Sequence, residues 1–466
     1  MSSFDFFNTF KNKKIAFCGV GATNFPLVDF FSEFADKIIV CDRKERTEFS
    51  TSFVEKLKKK KVGFFFGKNY LKNLEGADVV FRTPGVPFFS SELILLRRKG
   101  VVITSEVEVF FEVCPCKIIG ITGSDGKTTT ATLITKMLEA DGKTVHLGGN
   151  IGTPLLPKIK NIKKSDIVVV ELSSFQLISM SKSPDIAVVT NIEPNHLDVH
   201  KNMSEYIKAK ENILLHQNAF SIAVLNFDNK LSKNFSNLVR GKRIFFSRIE
   251  KDTDLHVRQN KIFIGEKQLL NIKKIQLQGK HNLENFLAAA AVVHSLDCSV
   301  SCLEKVAKEF TGIEHRTEFV GEVSGVRYYN DSIATSPTRT IKGMLSLFDN
   351  KIILITGGYD KKISYNKLGE VINSKVKVLI LMGQTAKKIE SSVKKAKNFD
   401  KKIKIIHAKS MTEAVSAAKS FSKKGDIVAL SPASASFDSY KNFEARGKDF
   451  KKEIILKEGR EKVCKI

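Results

Sequence analysis

One stretch of this chain constrains its fold more than any other. Lys117-Ile118-Ile119-Gly120-Ile121 is an apolar strand, and it runs straight into Thr122-Gly123-Ser124-Asp125-Gly126-Lys127-Thr128. A helical pattern follows, with Ile134, Met137 and Leu138 on one face and Asp141-Gly142 as its stop. A glycine-rich turn between a strand and a helix lets backbone N–H groups converge on phosphate oxygens, while the helix N-terminus adds positive potential. In that setting Lys127 neutralises the β- and γ-phosphates of a nucleoside triphosphate, and the Thr128 hydroxyl reaches a Mg²⁺ ion. The strict phosphate-loop pattern has a glycine where Ile121 stands, so this is the shorter T-G-x-x-G-K-T form. Lysine is abundant enough here to produce Gly-Lys-Thr by chance. The strand before it and the helix after it favour the phosphate reading.

The same alternation of short apolar strand and helical stretch recurs along the 466 residues, as in an α/β sheet. Ile15-Ala16-Phe17-Cys18 leads into Gly19-Val20-Gly21-Ala22-Thr23-Asn24, and residues 37–40, 78–81 and 101–103 read as further strands. The first glycine loop resembles a dinucleotide fingerprint without its third glycine, and a tight structural turn explains it almost as well. Asp42, closing the next strand, favours a diphosphate there. In the central part, residues 166–170 end in Glu171, and residues 186–189 end in Thr190-Asn191. Continuous apolar runs of this kind suit a parallel sheet covered on both faces. The lysine-rich stretch 240–276 reads as a small antiparallel sheet, and an alanine-rich helix at 285–293 completes the unit. From Glu314-His315-Arg316 the pattern restarts, with strands at 326–330, 351–355, 378–381 and 426–430. The expected architecture is α/β with three domains: a Rossmann-like domain at 1–107, a central P-loop ATPase-like parallel sheet at 108–312, and a Rossmann-like α/β domain at 313–466. A prior of about 150 residues per domain gives the same number.

The net charge of +26 raises a nucleic-acid reading. Only 14 of the 76 cationic residues are arginine, however, and readers of phosphate and base edges rely on the arginine fork. The lysines are spread from Lys11 to Lys465, there is no Trp, and the 35 Phe sit largely within apolar runs. A solvated lysine-rich surface that also favours a polyanionic small substrate is expected, with no nucleic-acid partner. No apolar run approaches the ~18–20 residues of a bilayer span, and the N-terminal segment has no cleavable apolar core. Seven dispersed cysteines read as reduced thiols rather than a disulfide framework or zinc site. Together these imply a cytoplasmic chain without membrane insertion.

In open α/β sheets ligands bind beyond the carboxyl ends of the strands. Glu171 and the loop Glu193-Pro194-Asn195-His196-Leu197-Asp198 belong there. Mg²⁺ takes hard oxygen ligands, which a carboxylate and nucleotide phosphates supply. Alone, Glu171 reads as readily as a helix cap, and His196 as a satisfied loop histidine. Their joint placement around a phosphate loop favours function.

These residues do not stand alone. With Glu171-Leu172-Ser173-Ser174-Phe175-Gln176-Leu177, Asn191-x-x-x-Asn195-His196-Leu197-Asp198, Gln278-Gly279-Lys280-His281-Asn282 and His315-Arg316, the chain resembles the Mur ligases, ATP-dependent amide-bond-forming enzymes of peptidoglycan assembly. The resemblance covers essentially the whole chain, with its motifs in the family's order. Within the family, three stretches resemble the member that adds D-glutamate to UDP-N-acetylmuramoyl-L-alanine. They are Gly148-Gly149-Asn150-Ile151-Gly152, Asn330-Asp331-Ser332, and Leu430-Ser431-Pro432-Ala433-Ser434-Ala435-Ser436-Phe437-Asp438 with Lys441-Asn442-Phe443-Glu444-x-Arg446-Gly447.

The resemblance implies a UDP-substrate domain, a central ATP domain and a C-terminal amino-acid domain, working as a monomer with ATP and two Mg²⁺ ions. It implies that Thr122, Gly123, Ser124, Asp125, Gly126, Lys127 and Thr128 cradle ATP, with Asn282, Asn285, Arg316 and Asp331 as further nucleotide contacts. Thr128, Glu171, His196 and a carbamylated Lys210 match the metal ligands, and Lys127, His196 and Lys210 the catalytic set. Asn150 borders the muramoyl-alanine side. Ser436, Phe437 and Phe443, with Lys361 or Lys362, match the D-glutamate pocket. One departure is plain: Ile333 stands where the family often has a lysine. The alternatives are another amide ligase of the same fold, such as a later Mur ligase or folylpolyglutamate synthase, and, from a different class, a basic nucleic-acid-dependent P-loop ATPase. A degenerate binding module is disfavoured because Lys127, Glu171, His196 and Lys210 are all present.

Overall fold

The computed structural model describes residues 3–455 apart from 22–23, 36, 50, 60–61, 196–198, 278 and 362. The chain forms two compact units, Met1–Lys308 and Glu309–Ile466. Among the described residues no helix is long and apolar enough to cross a membrane.

The first unit contains two sheets. Strands β1 (Lys14–Cys18), β2 (Lys37–Asp42), β3 (Gly63–Phe66), β4 (Val79–Arg82) and β5 (Val102–Thr104) lie in the order β3-β2-β1-β4-β5, all parallel. Much of the phenylalanine content serves this layer. Phe17 and Phe81 face each other across paired strands with ring centroids 5.2 Å apart, and Phe7, Phe10, Phe30 and Phe31 pack around them. The third-glycine position of the first loop is filled by buried Asn24, whose amide donates to the carbonyls of Gly19 (2.9 Å) and Phe81 (3.1 Å). Asp42 is tied to backbone at both oxygens, accepting from Val20 N–H (2.6 Å) and Lys44 N–H (2.9 Å).

The second sheet carries β6 (Lys117–Thr122), β7 (Val145–Gly149), β8 (Ile167–Glu171), β9 (Ile186–Val189), β10 (Ile222–Asn226), β11 (Lys242–Ser247), β12 (Leu255–Arg258), β13 (Lys261–Ile264) and β14 (Lys267–Asn271). Their order is β14-β13-β12-β11-β10-β9-β6-β8-β7. The expectation of a separate small antiparallel sheet at 240–276 needs correcting. β11 pairs in parallel with β10 and β12, and only β12–β14 run antiparallel, extending the same sheet. The reversal is made by a two-residue turn at Gln259-Asn260, both at positive φ (50° and 60°), which matches the strand twist. The alanine-rich helix is longer than expected, Lys280–Ser295, and Ala288 to Ala291 are fully buried. Small side chains there admit the helix Lys127–Ala140 against it. That helix ends as its sequence implied. Gly142, at φ 80°, donates to Glu139 O and Lys143 N–H reaches back to Leu138 O, both at 3.0 Å, satisfying carbonyls the helix leaves open.

The second unit holds β15 (Glu318–Val323), β16 (Val326–Asn330), β17 (Ile352–Gly357), β18 (Val376–Met382), β19 (Lys404–His407) and β20 (Ile427–Leu430), ordered β15-β16-β20-β17-β18-β19. Only β15 is antiparallel. Apolar side chains fill both faces of β17, β18 and β20.

The two sheets of the first unit share one continuous apolar core. A buried carboxylate crosses it: Glu106, in the helix Glu106–Val113, accepts from the backbone N–H groups of both Leu155 and Leu156 at 2.8 Å. Burial pushes its pKa up, and the two N–H donors oppose that. An orphaned buried donor costs about 1–3 kcal/mol. Glu106→Ala is therefore expected to lower unfolding stability in urea by at least about 2 kcal/mol, whereas Glu106→Gln, which keeps an acceptor oxygen, should lose clearly less. Equal midpoints for the two variants would remove this role.

Candidate active site

In the first unit, the sheet order places β6 between β8 and β9, so their carboxyl ends converge on one turn. Gly126, at φ 81°, precedes the helix Lys127–Ala140 and has no room for a side chain beside Asn285. A Cβ on Gly123 would likewise collide with Thr190. No side chain caps the helix start, so the N–H groups of its first turn, which have no intrahelical partners, remain available to an anion. The turn is held from below: Ser124 N–H donates to Asn191 O and Asp125 N–H to Asn191 Oδ1, both at 2.9 Å. Thr190 Oγ1 donates to the Asp125 carbonyl at 2.7 Å, and Ser124 Oγ contacts Tyr206 OH at 2.9 Å.

The charged groups meet above this frame. Lys127 Nζ donates to the carbonyls of Gly123 and Ser124, each at 2.9 Å. Lys210, on the helix Met203–Leu215, is 1% exposed, and its Nζ donates to Thr122 Oγ1 (3.1 Å) and again to Gly123 O (2.9 Å). Burial drives its pKa well below the usual lysine range; Lys127 adds to the effect, while Glu171 and Asp125 oppose it. Glu171, buried at the end of β8, accepts from Thr128 Oγ1 at one oxygen and Asn150 Nδ2 at the other, both at 2.7 Å. Asn285 reaches Thr130 Oγ1 and Asn282 Oδ1 at 3.3 Å each.

Thr122, Gly123, Ser124, Asp125, Gly126, Lys127, Thr128, Asn150, Glu171, Lys210, Asn282 and Asn285 thus form one cluster, as the sequence led us to expect. His196 lies outside the described residues. Among the described residues there is no group of three or more His, Cys, Asp or Glu placed to hold a metal. Among the hard oxygen donors, the Glu171 carboxylate and the Thr128 hydroxyl are bonded to each other beside the phosphate turn. This donor set fits Mg²⁺ shared with a nucleotide, which retains water and phosphate oxygens among its ligands.

The second unit gathers its candidates around Arg446. This guanidinium is 2% exposed and satisfies four acceptors: Ser332 Oγ (3.0 Å), Ser332 O (2.9 Å), Ala435 O (3.0 Å) and Ser434 O (3.1 Å). It ties the turn after β16 to the loop after β20. Asp331 is buried in the same turn, accepting from Ser431 Oγ (2.7 Å) and Thr317 N–H (3.2 Å). Burial pushes its carboxyl up to about 7, opposed by those hydrogen bonds and by Arg316 and Arg339. Lys361 Nζ donates to Thr335 O at 3.3 Å, and its pKa is lowered by burial and by Arg339 and Arg446. Ser436 is buried, Phe443 is half-buried with its carbonyl accepting from Ser332 Oγ (2.8 Å), and Phe437 is exposed near Tyr359. Lys362 lies outside the described residues. At Ile333, cations approach from elsewhere: Arg339 Nη1 donates to its carbonyl at 3.4 Å.

Sequence reasoning placed Thr190, Asn191 and Arg446 within its motifs without giving them a role in the site, and gave Tyr206 none. Arg446 carried a signal, being a rare arginine in a lysine-dominated chain, where a fork of five donors is the reason to depart from lysine. Asn191 and Tyr206 act through backbone and hydroxyl contacts that only the folded sheet brings into range.

A family model for the Mur ligase middle domain matches residues 121–293, and one for the Mur ligase, glutamate ligase domain matches residues 315–434. The chain is 49% identical over 395 residues to the UDP-N-acetylmuramoylalanine--D-glutamate ligase of Acetivibrio thermocellus, covering 83% of each chain. It is 48% identical over 394 residues to the enzyme of the same name from Clostridium tetani, covering 84% of this chain and 85% of that one. Among solved structures, the UDP-N-acetylmuramate-alanine ligase of Thermotoga maritima superimposes with a TM-score of 0.58 at 19% identity, over 96% of this chain and 100% of that one, a likeness of fold. With 49% identity over 83% of each chain and both family models in order along it, this chain belongs to the Mur ligase family.

Proposed function

We propose that this chain joins D-glutamate to UDP-N-acetylmuramoyl-L-alanine in an ATP-dependent, ADP-forming reaction of peptidoglycan precursor synthesis in the cytoplasm. The observation that carries the reading is the 49% identity, over 83% of both chains, to a ligase named for that reaction. The phosphate turn with Glu171 and Lys210 supplies the chemistry such a reaction needs. Residues 1–107, 108–312 and 313–466 would be its UDP-substrate, ATP and amino-acid modules.

A carboxylate does not form an amide unaided, because oxide is a poor leaving group. The L-alanyl carboxylate attacks the γ-phosphorus of ATP, ADP leaves, and an acyl phosphate results. The D-glutamate amine then attacks that carbonyl, and phosphate leaves as the tetrahedral intermediate collapses. The reactants are anions, so catalysis is chiefly charge neutralisation and alignment. Lys127 turns its ammonium from the Gly123 and Ser124 carbonyls to the β- and γ-phosphates. The first-turn N–H groups of its helix hold the phosphate oxygens. Asn282 and Asn285 orient the nucleotide in the first unit; Arg316 and Asp331, which the family resemblance also matches to nucleotide contacts, belong to the second.

Thr128, Glu171 and His196 would hold Mg²⁺, two ions in our reading, which when bound would draw negative charge from the phosphate oxygens. Lys210 fits this set only as a carbamate, an anionic oxygen donor. Burial lowers the pKa of its amine, which favours the neutral form that adds CO₂. Asn150 positions the muramoyl-alanine side through its bond to Glu171. Lys361 pairs the D-glutamate side chain, with Lys362 beside it in sequence, and Ser436, Phe437 and Phe443 complete the pocket. Arg339 and Lys361 supply the positive charge that Ile333 does not.

Two measurements test this. Phosphate release from ATP with UDP-N-acetylmuramoyl-L-alanine should require D-glutamate and stay at background with L-glutamate, glycine or L-lysine. Preference for another amino acid would move the chain to a different member of the family, and release driven by nucleic acid instead would discard the ligase reading. Separately, Lys127→Ala should cost on the order of 3–4 kcal/mol in the transition state, a few hundred-fold in kcat or more, with an unchanged thermal unfolding midpoint. Near-normal turnover by that variant removes the phosphate-turn assignment.

A further inference from the structure

Cys114-Pro115-Cys116 connects the helix Glu106–Val113 to β6, and nothing in the ligation chemistry uses it. It lies at the amino end of the strand whose carboxyl end carries the phosphate turn. Cys114 closes the helix, its backbone N–H donating to Phe110 O at 2.9 Å, and its extended backbone (φ −64°, ψ 122°) leads into the proline. The proline ring restricts φ and so limits the conformations open to the pair. The two sulfurs are 3.7 Å apart, and Cys114 Sγ also approaches the Cys116 carbonyl at 3.5 Å. Both side chains are half-buried, and Pro115 and Lys117 beside them are exposed, so small molecules reach the thiols.

The other described cysteines differ. Cys18, Cys41 and Cys302 are buried, and desolvation pushes their thiols and that of Cys298 up. At Cys114 the hydrogen bond with Cys116 pulls the thiol down, and the same bond pushes Cys116 up. The pair is two thiols already in contact, and either can donate the hydrogen bond between them.

We propose that Cys114 and Cys116 form a dithiol modification site that reacts with low-molecular-weight disulfides of the glutathione type and closes reversibly to an intramolecular disulfide. The Cys114 thiolate attacks one sulfur of the small disulfide. That S–S bond breaks, one thiolate leaves, and Cys114 carries a mixed disulfide. Cys116 then loses its proton to solvent and attacks the Cys114 sulfur, expelling the second small thiolate. Two cysteine thiols are oxidised and one small disulfide is reduced to two thiols, so electrons and protons balance. The second displacement is favoured because its nucleophile is already in contact with its target. Reaching a bonded S–S distance requires the sulfurs to approach by roughly 1.7 Å, within the reach of side-chain rotation at two half-exposed positions.

The test uses the full-length protein treated with oxidised glutathione, quenched with an alkylating agent and digested with trypsin. The tryptic peptide spanning residues 100–117 contains Cys114, Cys116 and no other cysteine. In the wild type it should appear unalkylated and lighter by two hydrogens, and dithiothreitol before quenching should restore double alkylation. Cys116→Ser should stop at a glutathione adduct on Cys114, and Cys114→Ser should react at least tenfold more slowly. Thermal unfolding of both variants checks that they fold. A wild-type peptide that stays doubly alkylated, or one that keeps a stable glutathione adduct, overturns the proposal. A Cys114→Ser variant reacting as fast as wild type overturns the assignment of Cys114 as the attacking group.

Discussion

A single carbonyl, that of Gly123, accepts from two ammonium groups, Lys127 and Lys210, each at 2.9 Å. Burial lowers the Lys210 pKa well below the usual lysine range and the neighbouring Lys127 adds to that effect, while Lys127 itself is less deeply buried. The rest of the site follows from the need to support this turn. Thr190 and Asn191 bond its backbone, Ser124 Oγ anchors it to the Glu193 carbonyl, and the glycines at 123 and 126 leave room for Thr190 and Asn285 to approach.

Glu171 is the negative charge beside the lysines, and it opposes the lowering of the Lys210 pKa. Both its oxygens are already engaged, by Thr128 and Asn150, which fixes the carboxylate at the end of β8 and aims it at the phosphate side. Held by these two neutral donors, the carboxylate stands beside the phosphate turn as a candidate metal ligand. The parallel register of β6 with β8 and β9 makes this possible, since it brings three strand ends to the same level.

In the second unit Arg446 takes the organising role that backbone amides take in the first. Its planar fork satisfies four acceptors from two separate loops, which a lysine's point charge does not reproduce. Ser332, Ser434 and Ala435 are held together by it, and the loop bearing Ser436 and Phe437 starts from that anchor. The high net charge elsewhere is carried by surface lysines, many in exposed ion pairs such as Lys99–Glu75 and Lys160–Glu33. Exposed pairs of this kind contribute little to stability.

Strand positions were legible because apolar runs such as Ile186–Val189 are buried on both faces and carry no competing pattern. The weaker strands β3, β7, β15 and β19 were not singled out, since their half-buried or mixed patterns, or a context such as Gly148-Gly149, gave no clear local signal; β10 was missed although its run is apolar and buried. The phosphate turn was legible since its glycines, lysine and threonine are contiguous, and the family's motifs supplied Glu171, Lys210 and Arg316. What the sequence by itself determined, then, is the local chemistry: which strand precedes which turn, where helices start and stop, and which residues are able to hold phosphate. Only the tertiary structure decided that β11 joins the main sheet, that Lys127 and Lys210 share one carbonyl, and that Arg446 joins two loops more than a hundred residues apart. Those outcomes depend on strand order and on desolvation, and both arise only when segments distant in sequence pack together.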